Sequence, residues 1–275
     1  MTRRTTLAVA LAASIIVAAC GSDSDDDAAP TTTVEPTTTT AGVEPITILV
    51  TNDDGIGAPG IDALVIALQE LDAVEVVVVA PAENQSGSSD KTTPGGAPHA
   101  AGETASGVAG TAVQGFPADT IAVALDDLGL EPDLVVSGVN QGQNVGPLAA
   151  PSGTLGAART ALRRGLPSVA SSAGLEPLAD YELGAELVVA WIAEHRTAIA
   201  DGTIGADAVV SFNVPGCVVG DPKPLVAVPL AASIPEGANT FETADCDIVL
   251  SAPPADDVAA MLGGHLAETL VPAEL

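Results

Sequence analysis

The chain has 275 residues, of which 47% are hydrophobic and 2% aromatic, and it carries 36 acidic residues against 8 basic ones. This composition indicates a globular protein whose core is built from Val, Leu, Ile and Ala. The formal net charge of −28 argues against long nucleic acids and anionic lipid surfaces as direct partners, because like charges repel.

The N-terminus has the layout of an export signal. Residues 1–19 place Arg3 and Arg4 before a short apolar run, and Cys20 follows directly. The run is too short for a comfortable membrane span. The ending VAAC resembles a lipoprotein signal and predicts a lipidated Cys20; an ordinary signal peptide with an incidental cysteine is the alternative. Residues 20–45 are rich in Thr, Asp and Pro and are predicted to form a disordered tether. We therefore expect an exported, lipid-anchored protein that faces outward, with one folded domain over residues 46–275.

From residue 46 onward, continuous apolar segments alternate with segments of helical spacing. In chain order we expect a strand at 46–51, a helix at 60–71, a strand at 74–80, a helix at 117–129, a strand at 133–138, a helix at 152–165, a strand at 167–173, a helix at 179–197, strands at 208–215 and 224–230, and a helix at 255–269. Continuous Val/Ile/Leu strands that alternate with helices are typical of a mostly parallel sheet covered on both faces. The pattern predicts an α/β fold.

Polar stretches follow three of the predicted strands. They are TNDDG at residues 51–55, ENQSGSSD at 83–90, and SGVNQGQNVG at 137–146, and the last leads to PSGT at 151–154. In a parallel α/β sheet, ligands bind beyond the carboxyl ends of the strands. Each stretch also has a purely structural interpretation, as turn residues for the first three and as a helix cap for the fourth. Their convergence on one edge of the sheet favours a site.

The side chains in these stretches are carboxylates, amides and hydroxyls. Such hard oxygen donors suit Mg²⁺, Mn²⁺ or Ca²⁺ rather than zinc or copper. A divalent cation beside the free N–H groups of a helix start is an arrangement that suits phosphate. The residues therefore point to a cation and a phosphate group at the same edge.

These motifs, in this order, resemble the SurE family of metal-dependent 5′/3′-nucleotidases. The matching segments are NDDG (52–55), APG (58–60), VVAP (78–81), SG (86–87), GFPAD (115–119), VSGVNQGQNVG (136–146), SGT (152–154) and NVP (213–215). The resemblance covers about residues 46–216. It implies a three-layer α/β/α sandwich with a Rossmann-like sheet.

The resemblance also implies roles for individual residues. The metal ligands would be Asp53, Asp54, Ser86 and Asn140, and the two aspartates would be the catalytic residues. The phosphate and substrate contacts would come from Asn52, Asn144, Ser152, Gly153 and Thr154. The cofactor would be a divalent metal, with Mg²⁺ or Mn²⁺ expected.

The implied activity is hydrolysis of nucleoside monophosphates to nucleoside and phosphate, by a phosphomonoesterase of the 5′-nucleotidase type. The alternative is a non-catalytic surface lipoprotein that binds a metal and an anion, because PLAAP (147–151) stands where the family usually has acidic residues and a Tyr. The membrane would be contacted through the lipid anchor alone, and formation of a homo-oligomer is left open.

Two cysteines, Cys217 and Cys246, remain once Cys20 is assigned to lipid. An even pair in an exported protein favours a disulfide between them. Two free buried thiols are the alternative.

Overall fold

A computed structural model of the protein describes residues 43–175, 177, 179–240 and 244–275. The predicted export signal, Cys20 and the tether up to residue 42 lie outside the described residues. Within the described part of the chain, no helix is both long and apolar enough to span a membrane.

Within the described residues, nine strands form one mostly parallel sheet, and two further strands form a small separate pair. The strands are β1 (Ile46–Thr51), β2 (Val74–Pro81), β3 (His99–Glu103), β4 (Ala109–Val113), β5 (Leu134–Gln141), β6 (Ser168–Ala173), β7 (Ala208–Asn213), β8 (Cys217–Val219), β9 (Lys223–Ala227), β10 (Ala244–Asp245) and β11 (His265–Pro272). The order in the large sheet is β3-β4-β2-β1-β5-β6-β7-β11-β9. All neighbouring pairs in it are parallel except β3–β4 and β7–β11.

Helices cover both faces of this sheet. They are α1 (Pro59–Gln69), α2 (Pro117–Ala122, continued by a π-helical turn over Val123–Asp127), α3 (Gly153–Arg163), α4 (Tyr181–Ala200) and α5 (Asp257–Leu262). Alternate side chains of β1 serve opposite faces. Ile48 and Val50 pack with α1 and α4, whereas Leu49 packs with α2 and α3. This arrangement is the predicted three-layer α/β/α sandwich, and the fold class is confirmed.

The C-terminal region differs from the prediction. The expected helix over 255–269 is wrong, because α5 ends at Leu262 and β11 begins at His265. Gly264 adopts a left-handed φ of 73°, which ends the helix in the way that glycine commonly does. In β11, Ala267, Thr269 and Val271 are buried, and this period of two is that of a strand.

The sequence analysis also missed the β3–β4 hairpin, which extends the sheet beyond β2. Its residues are mostly Ala and Gly, which have low strand propensity. The small pair β8–β10 lies beside a disulfide between Cys217 and Cys246.

Candidate functional site

A cavity of about 160 Å³, called the small cavity below, lies at the carboxyl ends of β1 and β5, beside the start of α3. Its lining residues are Asp53, Ser86, Gly87, Asn140, Gln141, Gly142, Asn144, Leu148, Pro151 and Ser152. The structure therefore brings together five of the residues predicted for the site from four separate segments of the chain.

Asp53 is buried at the start of α3, with 3% of its surface exposed. Its Oδ1 accepts a hydrogen bond from Thr154 Oγ1 at 2.7 Å, and the backbone of Thr154 also favours the charged carboxylate, which lowers its pKa. A Cβ on Gly153 would lie 2.8 Å from Asp53 Oδ2. Glycine at this position thus allows the carboxylate to approach the positive end of the helix.

The pKa of Asp53 is raised from 3.8 to about 6. Burial is the largest cause, because it removes water from the charged form, and the neighbouring Asp54 raises the pKa further. The hydrogen bonds from Thr154 oppose this rise. A cation near the carboxylate would offset both the loss of water and the repulsion from Asp54.

Asp54 lines a second, larger cavity of about 400 Å³, called the large cavity below. Its Oδ2 accepts from the backbone N–H of Gln141 at 2.9 Å, and its Oδ1 accepts from Asn84 Nδ2 at 3.1 Å. Burial raises the pKa of Asp54, and these hydrogen bonds together with one from Ser86 oppose the rise. Gln141 lines both cavities, which therefore adjoin one another at the aspartate pair.

Ser86 and Asn140 supply the other two predicted metal-binding atoms. The Ser86 side chain helps to lower the pKa of Asp54, and Ser86 also lines the cavity that holds Asp53. Asn140 Nδ2 donates to Gly142 O at 2.6 Å. Because the amide nitrogen is engaged there, the amide oxygen is the atom that is available to a cation.

The predicted phosphate contacts separate into two groups. Ser152 and Asn144 line the small cavity. Ser152 Oγ accepts from Leu155 N at 3.1 Å as the cap of α3, which leaves its own proton to donate. Thr154 does not line the cavity, and its hydroxyl is bonded to Asp53. Gly153 likewise provides room for Asp53.

Asn52 lines neither cavity. Its side chain is fully buried and shapes the turn after β1. Its Nδ2 donates to Gly55 O at 2.9 Å, and its Oδ1 accepts from Gly55 N at 3.3 Å. These contacts are those of a turn-forming asparagine, and they leave its amide directed at the backbone of the turn.

Sequence reasoning missed several residues that hold the site. Asn84 and Gln141 fix Asp54, as described above. Asn213, at the end of β7, accepts the backbone N–H of Asn144 at 2.7 Å. The motif NVP contains Asn213, so this signal was available, but the motif alone does not reveal the partner.

The donors around the aspartate pair fit a hard divalent cation. They are two carboxylates, one amide oxygen and one hydroxyl. Among the residues given above as lining the small cavity there is no Lys or Arg, and the same holds for those lining the large cavity. The described part of the chain contains no cluster of three or more His, Cys, Asp or Glu side chains that could hold a metal. The two aspartates would therefore rely on neutral oxygens to complete the coordination.

Comparison with known proteins identifies the family of this chain. The family model "Survival protein SurE" matches residues 48–233, which is more than half of the chain. The chain belongs to the SurE family. The family membership predicted from the motifs is thus confirmed.

Among SurE proteins, the chain is 42% identical over 178 residues to "5′-nucleotidase SurE" of Halobacterium salinarum, a match that covers 61% of this chain and 64% of that protein. It is 35% identical over 197 residues to the protein of the same name from Desulfovibrio desulfuricans, covering 69% of this chain and 74% of that protein. The crystal structure of the SurE protein from Aquifex aeolicus superposes with a TM-score of 0.64 at 27% identity, covering 83% of this chain and 94% of that one. The chain thus spans somewhat less than two thirds of the first relative's length.

Proposed function

We propose that this protein is a divalent-metal-dependent phosphomonoesterase that hydrolyses nucleoside monophosphates to nucleoside and phosphate. The observation that carries the proposal is the small cavity, in which a buried carboxylate, a serine hydroxyl and an asparagine amide meet without a basic residue among those that line it. The name 5′-nucleotidase SurE, given to the relatives above, supports nucleotides as the substrate class.

The charge balance of the site supports the need for a cation. A phosphate monoester carries a charge of about −2 near neutral pH, and the aspartate pair would repel it. A bound divalent cation would polarise a phosphoryl oxygen and lower the pKa of a water molecule. Asp53, Asp54, Ser86 and Asn140 would hold it.

The remaining residues of the site bind and orient the substrate. The Ser152 hydroxyl, whose oxygen accepts from Leu155 N, would donate to a phosphate oxygen, and Thr154 keeps Asp53 in place through its hydroxyl. Water attacks phosphorus, the bond from phosphorus to the nucleoside oxygen breaks, and that oxygen takes up a proton. The products are the nucleoside and inorganic phosphate.

The phosphate and the nucleoside of the substrate would occupy different cavities. About 160 Å³ is less than the roughly 300–1,000 Å³ of most small-molecule sites, so the small cavity suits the phosphate alone. The large cavity, at about 400 Å³, is lined by Glu83, Asn84, Gln141 and the turn before α1. These groups can exchange hydrogen bonds with a neutral sugar and base, so we place the nucleoside there.

The test is a phosphate-release assay. AMP and 3′-AMP are incubated with the purified protein and Mg²⁺, Mn²⁺, Ca²⁺ or EDTA, and Asp53→Asn is run in parallel. We expect release with at least one cation, none with EDTA, and a large loss in the variant. Binding of Mn²⁺ and phosphate without release from any nucleotide would overturn the proposal.

We also propose that the protein is exported and held at the outer face of the membrane by lipid on Cys20. The basic and apolar layout of residues 1–19 and the ending VAAC support this. Several acyl chains are needed for firm anchoring. Cys20→Ser should release the protein from membranes or leave it unprocessed, and a variant of mature size that still fractionates with membranes would contradict the proposal.

A further inference from the structure

Asp257 is a buried carboxylate that joins the C-terminal region to the small cavity. It begins α5, beyond the residues that the family model matches, and it has no exposed surface. Its Oδ2 accepts from the backbone N–H of Gly146 at 2.9 Å. Its Oδ1 accepts from the backbone N–H of Ala231 at 2.8 Å and of Val258 at 2.9 Å. Three segments of the chain therefore meet at one side chain.

Gly146 belongs to the segment that forms one wall of the small cavity. It begins a 3-10 turn (Gly146–Ala149), which carries the cavity residue Leu148, and it follows the cavity residue Asn144 by two positions. The carboxylate of Asp257 thus accepts the first N–H of this turn, as a helix cap does. The wall is thus hydrogen-bonded to a residue that is 111 positions away in sequence.

Apolar packing supports the same connection. Val145 packs in a cluster with Ala231, Val258 and Met261. Gly146 has a left-handed φ of 50°, and a Cβ at this position would lie 2.9 Å from Val258 Cγ2. The start of the turn therefore lies directly against α5.

We propose that Asp257 is a positioning residue for phosphate binding, and that α5 thereby takes part in the site. The inference rests on the proposed function, since it assumes that the small cavity takes the phosphate. Asp257 does not line the small cavity and is not among the proposed metal ligands. It acts on the substrate through the wall formed by Asn144 and Leu148.

Asp257→Asn tests the connection, with Asp256→Asn as a matched control. An asparagine at 257 can keep its oxygen towards Ala231 and Val258, but its NH₂ group then faces the N–H of Gly146, so two donors oppose each other. Asp256 caps α5 through a bond to Ala259 N at 2.8 Å, and asparagine caps helices equally well. Both variants lose one negative charge on the same helix, and only the first disturbs the wall.

We expect Asp257→Asn to raise the KM for AMP and the inhibition constant of inorganic phosphate by about tenfold or more, because small displacements of positioning groups have effects of this order. The affinity for Mn²⁺, measured by calorimetry without nucleotide, should stay within about twofold of the parent. Asp256→Asn should match the parent in all three quantities. Parental KM and inhibition constant in a folded Asp257→Asn would overturn the inference. Absence of phosphate release by the parent would instead refute the proposed function.

A second pair of variants tests the same contact if Asp257→Asn does not fold. Gly146→Ala strains the left-handed backbone at this position and brings a methyl group against Val258, so it should raise the KM for AMP. Val258→Ala removes the opposing atom, so the double variant should recover part of the parental KM. A folded Gly146→Ala with the parental KM for AMP would show that the position of this turn does not affect phosphate binding, and would also overturn the inference.

Discussion

Replacement of Asp53 by asparagine should stabilise the metal-free protein while removing its response to metal. Asparagine keeps the shape of the side chain and an oxygen for the Thr154 hydroxyl, and it cannot carry the buried charge. A folded-state pKa of about 6 in place of 3.8 corresponds to about 3 kcal/mol at 1.36 kcal/mol per pKa unit. The free energy of unfolding without metal should therefore rise by up to about 3 kcal/mol at pH 7.

The pH dependence of this gain follows from the sign of the pKa change. The folded-state pKa of Asp53 is above the unfolded value, so the folded protein binds more protons between pH 3.8 and about 6. The parent therefore loses stability relative to the variant as the pH rises through this window. Below pH 3.8 the gain should vanish, because the carboxyl is then neutral in both states.

Urea unfolding at pH 4 and pH 7, each with EDTA and with Mn²⁺, measures both effects. Saturating Mn²⁺ at about 100 times its dissociation constant should stabilise the parent by about 2.7 kcal/mol and the variant much less. Turnover of AMP should fall by on the order of 10²-fold or more, as loss of one strong electrostatic partner does elsewhere. Asp72→Asn, an exposed aspartate, is the charge control. If Asp53→Asn equals the parent in stability at pH 7, in its response to Mn²⁺ and in turnover, Asp53 is a turn residue and not a metal ligand.

Three further outcomes are expected. Thr154→Val removes a hydrogen bond that lowers the pKa of Asp53, so the acid limb of the pH–activity profile should move to higher pH, whereas Thr154→Ser should leave it in place; an unmoved limb in Thr154→Val would separate Asp53 from catalysis. Gly57 lines the large cavity and has open space where a Cβ would be, so Gly57→Phe should raise the KM for AMP while inhibition by inorganic phosphate stays parental; an unchanged KM would place the nucleoside elsewhere. The disulfide between Cys217 and Cys246 closes a loop with a sequence separation of 29 and should contribute roughly 3–4 kcal/mol in the chain-entropy model; a non-reduced digest that yields two separately alkylated cysteine peptides would contradict it.

The layers of the fold could be predicted because buried parallel strands leave a strong local pattern. The segments ITILVT and VEVVVVA are rich in β-branched apolar residues, and they form the neighbouring strands β1 and β2 of the sheet. The final strand was missed because its apolar residues follow those of α5 without a polar break, and the two consecutive glycines, Gly263 and Gly264, were the signal that separates them. The β3–β4 hairpin left no apolar pattern.

The sequence predicted which residues lie at the site better than it predicted the contacts between them. Motifs at strand ends place Asp53, Ser86 and Asn140 at one edge of the sheet, as the cavity shows. The start of α3 binds Asp53 because the two segments are close in the folded chain. No local sequence pattern indicates such a contact. For the same reason Thr154 was expected to face phosphate, and Asp257 was not expected to act at the site.

The placement of Asp53 at the start of α3 has a consequence for how the binding of a cation and the binding of a nucleotide affect one another. The helix end that could have attracted an anionic substrate is already engaged by a carboxylate of the protein itself. Under the proposed function, the cavity would repel a nucleotide without a cation and would attract it with one. Thermodynamic linkage then requires each ligand to increase the affinity for the other. The free concentration of the divalent cation would accordingly set the apparent nucleotide affinity.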